Sequence, residues 1–164
     1  MRAWWISAAL WWGLSACAGS QAGQQRAPLL DLSLTRADGA RAELSAWRGR
    51  PLLLFLFATY DEASQLEFVP LQQLLERERQ LQVVGVALQP EAATFLKLFQ
   101  RALSVPFELY YDADNQLLHK QTALGALRGV PAFVALDAEG RIRGVHYGVA
   151  THEQLRALAA SARD

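Results

Sequence analysis

Thiols are almost missing from this sequence. Its 164 residues include one cysteine, Cys17, and one methionine. A lone thiol closes no internal disulfide and builds no multi-cysteine zinc or iron–sulfur site. An excess of charge is missing too: 16 Lys and Arg balance 16 Asp and Glu, for a formal net charge of zero. With no basic stretch either, nucleic-acid binding driven by bulk charge is not expected. His119, His146 and His152 lack tight ligand spacing, so neither a metal nor a cofactor is expected. The uncharged apolar run at residues 3–16 is shorter than the about 20 residues that span a bilayer as a helix. What is plentiful is hydrophobicity. At 52% hydrophobic and 20% charged, the chain is not a disordered one, and its length suits one domain.

Arg2 followed by the short apolar run reads as a signal-peptide core. The run ends Leu14-Ser15-Ala16-Cys17, which resembles the bacterial lipobox at every position. The resemblance implies cleavage before Cys17 and lipid on that residue. Four of the five tryptophans (Trp4, Trp5, Trp11, Trp12) crowd this segment, where a folded domain would have to hide them. Ala18, rather than Asp, follows the cysteine. In the enterobacterial sorting pattern that implies the outer membrane, facing the periplasm. Residues 18–28 are small and polar and read as a tether. The expected organisation is a signal peptide over 1–16, a lipidated tether over 17–28 and one domain over 29–164.

Within the domain, residues 30–34 alternate apolar and polar, a half-buried strand, and residues 41–44 return from a turn at Asp38-Gly39 to make a hairpin. Residues 52–58 (LLLFLFA) are apolar throughout, as in a strand buried on both faces. Residues 61–80 suit an amphipathic helix with Leu66, Val69, Leu74 and Leu75 on its apolar side, kinked or ended near Pro70. A strand over 82–88, a helix over 91–103 and a short strand over 107–111 follow. Residues 132–136 and 141–147 read as strand, turn, strand. Thr151 caps a closing helix that runs to 162. Helices alternating with strands predict an α/β fold, a central mixed sheet with helices on both faces and an N-terminal β-hairpin.

Three stretches carry a family resemblance. Leu44-Ser45-Ala46-Trp47-Arg48-Gly49-Arg50-Pro51, then Phe57-Ala58-Thr59-Tyr60, then the run from Gly129-Val130-Pro131 to Asp137-Ala138-Glu139-Gly140-Arg141-Ile142 resemble the TlpA/ResA branch of the thioredoxin superfamily, the redoxins. The likeness covers residues 30–162. It implies a thioredoxin-like fold and a cis peptide bond at Val130-Pro131, beside a groove that binds an extended peptide.

The family's Trp-Cys-x-x-Cys falls here on Tyr60-Asp61-Glu62-Ala63-Ser64. Asp61 and Ser64 take the cysteine positions, or Glu62 and Gln65 if the register slips by one. Neither register supplies a thiol. Thiol–disulfide exchange needs an attacking and a resolving thiol, and a thiol peroxidase needs a peroxidatic cysteine. Lipidated Cys17 can serve as neither. The acidic residues at the helix start suit capping. No Gly-x-Ser-x-Gly elbow supports a hydrolase, and nothing in the sequence places a histidine beside Ser64. Glu67 matches the family's helix glutamate, which tunes the cysteines there. The expectation is a membrane-anchored periplasmic thioredoxin-fold lipoprotein, redox-inactive, acting as a binding or scaffold module. The alternative is a TlpA-type thiol–disulfide oxidoreductase, disfavoured by the absent cysteines. A Sco-like metal chaperone fails for the same lack of a cysteine pair.

Overall fold

The computed structural model describes residues 27–163; the expected signal peptide and the expected lipidation at Cys17 lie outside the described residues. In chain order the elements are β1 (Ser33–Thr35), β2 (Arg41–Glu43), a 3-10 turn (Leu44–Trp47), β3 (Leu52–Phe57), α1 (Glu62–Leu66), α2 (Phe68–Arg77), β4 (Gln82–Ala87), α3 (Ala92–Ala102), β5 (Glu108–Tyr111), β6 (Ala132–Leu136), β7 (Ile142–Tyr147) and α4 (His152–Ser161). The strands form one mixed sheet in the order β2-β1-β5-β4-β3-β6-β7.

The unbroken apolar run makes β3 an interior strand, flanked on both sides. It pairs parallel with β4 and antiparallel with β6, and all six of its side chains are buried. Leu53, Phe55 and Phe57 face a core shared with Phe68 and Leu71 of α2, Leu96 of α3 and Leu155 of α4. Phe55 stacks on both Phe57 and Phe133 at 5.2 Å between centroids. Such ring pairs add about 0.5–1.5 kcal/mol each beyond area burial. Leu52, Leu54 and Leu56 face a second core with Leu30, Leu32, Leu34 and Leu117.

On this second face the covering differs from the expected helix layer. The segment before β1, the 3-10 turn and the loop through Leu117, Leu124 and Leu127 close it, while the long helices α2–α4 share the first face. The loop cannot run as a helix, because Asn115, Lys120 and Gly125 hold positive φ of 53°, 57° and 70°. Trp47 is half-buried here, edge-on to Tyr110 at 5.2 Å.

The helix expected over 61–80 is two helices meeting at Glu67 and ending at Arg77. Pro70 has no N–H for the Leu66 carbonyl, so the helical ladder lapses across this stretch. The break swings Leu66 and Val69 outward, each 62% exposed, and turns Phe68, Leu71 and Leu74 inward. Thr151 and Gln154 form a capping box at the start of α4.

The first described residues dock on the β6–β7 turn. Leu29 bridges Arg141, Leu30 N–H donates to the Gly140 carbonyl at 2.9 Å, and Arg141 reaches the Ala27 carbonyl at 2.8 Å. This is the end of the sheet where β3 begins, since Leu52 pairs with Leu136.

Candidate functional site

The opposite end of the sheet gathers the connections that leave β3, β4 and β5, the place where open α/β sheets carry their ligands. After Phe57 the chain turns through Ala58-Thr59-Tyr60 and enters α1 with Asp61 as N-cap. One oxygen, Asp61 Oδ2, accepts from the Ser64 N–H at 2.8 Å and from the Ser64 hydroxyl at 2.6 Å. Ser64 Oγ in turn accepts from the Ala58 N–H at 3.4 Å. Asp61 and Ser64 are thus tied across one helical turn by a short hydrogen bond. Glu62 and Gln65 are exposed and not so joined. Ser64 is fully buried, and no histidine is among its hydrogen-bond partners. Its burial denies it the access that a nucleophile needs. Ala63 is half-buried, and Tyr60 stands out at 71% exposure.

Two glutamines fix the backbone just before this turn. Gln89 Oε1 accepts from the Thr59 N–H, and Gln65 Nε2 donates to the Thr59 carbonyl at 2.7 Å. Sequence reading named Gln65 only as a possible cysteine position and passed over Gln89, whose partnership spans 30 residues and leaves no local pattern.

Glu67 sits at the helix break, 1% exposed. Its Oε1 accepts from the Ala150 N–H at 2.7 Å, while Oε2 is buried without a hydrogen-bond partner among the described residues. Burial pushes its carboxyl above the ordinary value of 4.5. The Ala150 hydrogen bond and the charges of His146 and His152 pull the other way and do not cancel it. His146 Nε2 lies 3.2 Å from the Val149 carbonyl and His152 Nε2 lies 2.7 Å from Gln73 Oε1. His119 is exposed. Among the described residues no three His, Cys, Asp or Glu side chains assemble as metal ligands.

The peptide bond Val130–Pro131 is cis. Gly129 before it holds a φ of 149°, which a side chain would resist. The pairing of Leu56 with Ala132 sets Pro131 beside the end of β3, next to the Asp61 turn. Pro131 accepts from the Gly148 N–H at 2.8 Å, whereas the N–H and carbonyl of Val130 have no hydrogen-bond partner among the described residues.

A family model described as AhpC/TSA matches residues 24–145. The chain belongs to the AhpC/TSA family. Solved structures similar to this AhpC/TSA chain are thioredoxin-like. A thiol:disulfide interchange protein of the thioredoxin family from Chlorobium tepidum is 18% identical, with a TM-score of 0.67 over 83% of this chain and 95% of that one. A secreted Mycobacterium tuberculosis disulfide oxidoreductase is 19% identical, with a TM-score of 0.64 over 79% and 95%. The exposed lipoprotein thioredoxin of Streptococcus pneumoniae is 18% identical, with a TM-score of 0.66 over 79% and 98%. At these identities the likeness establishes the thioredoxin-like fold. A search of curated proteins gave no match. This AhpC/TSA chain has no helix, among its described residues, long and apolar enough to cross a membrane.

Proposed function

We propose that this thioredoxin-fold protein is a redox-inactive binding module, tethered through lipid on Cys17 to the envelope membrane and facing the periplasm. The observation that carries the reading is the Asp61–Ser64 hydrogen bond at the start of α1. In the register of the family resemblance it occupies both cysteine positions with side chains that cannot exchange a disulfide. What survives is the peptide-facing part of the site. The unpaired backbone groups of Val130 beside cis-Pro131 are a short free strand edge, which suits pairing with an extended peptide. Exposed Tyr60 adds contact area. The lipobox of the sequence supports the tether, and the pneumococcal lipoprotein thioredoxin is a precedent for this fold on a lipid anchor.

The descriptions of the similar solved structures favour a second reading, a thiol–disulfide oxidoreductase. The two separate in one assay, reduction of a model disulfide by the full-length protein with reductant supplied. No turnover above the uncatalysed rate is expected, and sustained catalysis would refute the binding-module reading. Lipid labelling tests the tether. Cys17→Ser should lose all label and persist as the unprocessed precursor.

A further inference from the structure

Beside the free edge of Val130 lies a cleft of about 250 Å³, lined by Leu88, Leu118, Leu127, Arg128, Gly129 and Val130. Its walls are aliphatic. Leu88 brings the end of β4, and Leu118 and Leu127 bring the loop that covers the second core. Leu118 is 55% exposed. The one charged lining residue is Arg128. Its guanidinium lies over the Tyr147 ring at 5.5 Å, and no carboxylate pairs with it among the described residues. The ring holds the cation at the rim by cation–π attraction and leaves its planar N–H fork for an acceptor.

Three features thus converge in one place: an unpaired backbone edge at Val130, an aliphatic cleft, and an unpaired arginine on its rim. We propose that the cleft selects an extended peptide bearing one large apolar side chain with a carboxylate within two residues of it. The inference rests on the peptide-binding reading above and adds its specificity. The strand edge fixes the peptide's direction without reading its sequence. Because side chains of a paired strand alternate in direction, every second peptide residue faces the cleft. A leucine or phenylalanine there displaces water from Leu88, Leu118 and Leu127, and Arg128 receives the neighbouring carboxylate.

The test uses the full-length protein in lipid nanodiscs, with fluorescence anisotropy of labelled extended octapeptides and empty nanodiscs as the blank. The parent peptide carries a central leucine in a Ser/Thr background, with glutamate placed in turn at one or two residues on either side. Exchanging the leucine for alanine should weaken binding about tenfold or more. Exchanging the best-placed glutamate for glutamine should weaken it by roughly two- to fivefold, as an exposed ion pair allows, and the difference should fade with added salt. Arg128→Gln should abolish the glutamate preference and keep the leucine preference; Leu127→Ser should do the reverse. Equal binding of all peptides would overturn the specificity while leaving the groove. Equal glutamate preference in Arg128→Gln would remove Arg128 from it. Failure of every peptide to bind would remove the groove and the inference with it.

Discussion

At the scale of single residues, the Asp61 carboxylate does two things at once: it caps α1 and it binds the Ser64 hydroxyl. Asp61→Ala removes both contacts and should cost about 1–2 kcal/mol of stability, read from denaturant unfolding, whereas Asp61→Asn should keep much of the cap. Glu67 gives a pH signature. Its folded-state pKa is raised by burial, so the native protein holds this proton more tightly than the unfolded chain does. The resulting stability is fully present below the ordinary value of 4.5. It is lost as pH rises from there through the raised value, and stays level above it. Glu67→Gln keeps an acceptor for the Ala150 N–H and has no proton to lose. Its denaturation midpoint should therefore not show that fall over the same pH range, and a fall of equal size in the variant would clear Glu67 of responsibility. Glu67→Ala leaves the buried Ala150 N–H without an acceptor, at a cost of about 1–3 kcal/mol.

At the scale of elements, the break between α1 and α2 shows what sequence patterning can and cannot reveal. The strand read over 52–58, observed over Leu52–Phe57, was legible because an unbroken apolar run has few homes other than the interior of a sheet. The helix over 61–80 was legible as helix, yet Leu66 and Val69 were assigned to the wrong side. A single period of 3.6 was carried through Glu67, where the structure changes direction. The loop over the second core was opaque, since it has no period at all. The start of α1 can be probed chemically. Asp61→Cys with Ser64→Cys, in a Cys17→Ser background, should form an internal disulfide, with the thiol pKa of the first cysteine lowered by the helix N-terminus. The same pair at Glu62 and Gln65 should show no such depression. A depressed pKa at Glu62→Cys instead would shift the register by one. In the sheet, Gly85 of β4 has the least room for a side chain among the described glycines. A Cβ there would come within 2.5 Å of the Leu109 side chain and 3.2 Å of Phe57. Both neighbours are buried, so Gly85→Ala should destabilise by about 1–3 kcal/mol through overpacking.

At the scale of the whole molecule, the order of motifs along the chain made the fold readable before any coordinates. The site was only half readable. Asp61, Ser64, Val130 and Pro131 were named from their places in the motifs. Gln89 on Thr59, Glu67 on Ala150 and the company Arg128 keeps depend on contacts distant in sequence, which no local spacing encodes. Trp47 reports on the assembled body. It is the only tryptophan beyond residue 12, and it packs edge-on to Tyr110 over the second core. In protein cleaved before Cys17 its emission should be blue-shifted from that of free indole in water and should move red in one step on unfolding. A fully water-like spectrum in the native protein would contradict this packing.

The docking of residues 27–30 on the β6–β7 turn has a bearing on how partners arrive. That turn and the Val130 cleft are the two poles of the sheet, set apart by the length of β3, roughly 20 Å for six strand residues. On the tethered reading proposed above, the chain coming from Cys17 would join the domain at the pole opposite the cleft. On that same reading the point of attachment leaves the cleft uncovered, open to clients that travel through the surrounding fluid.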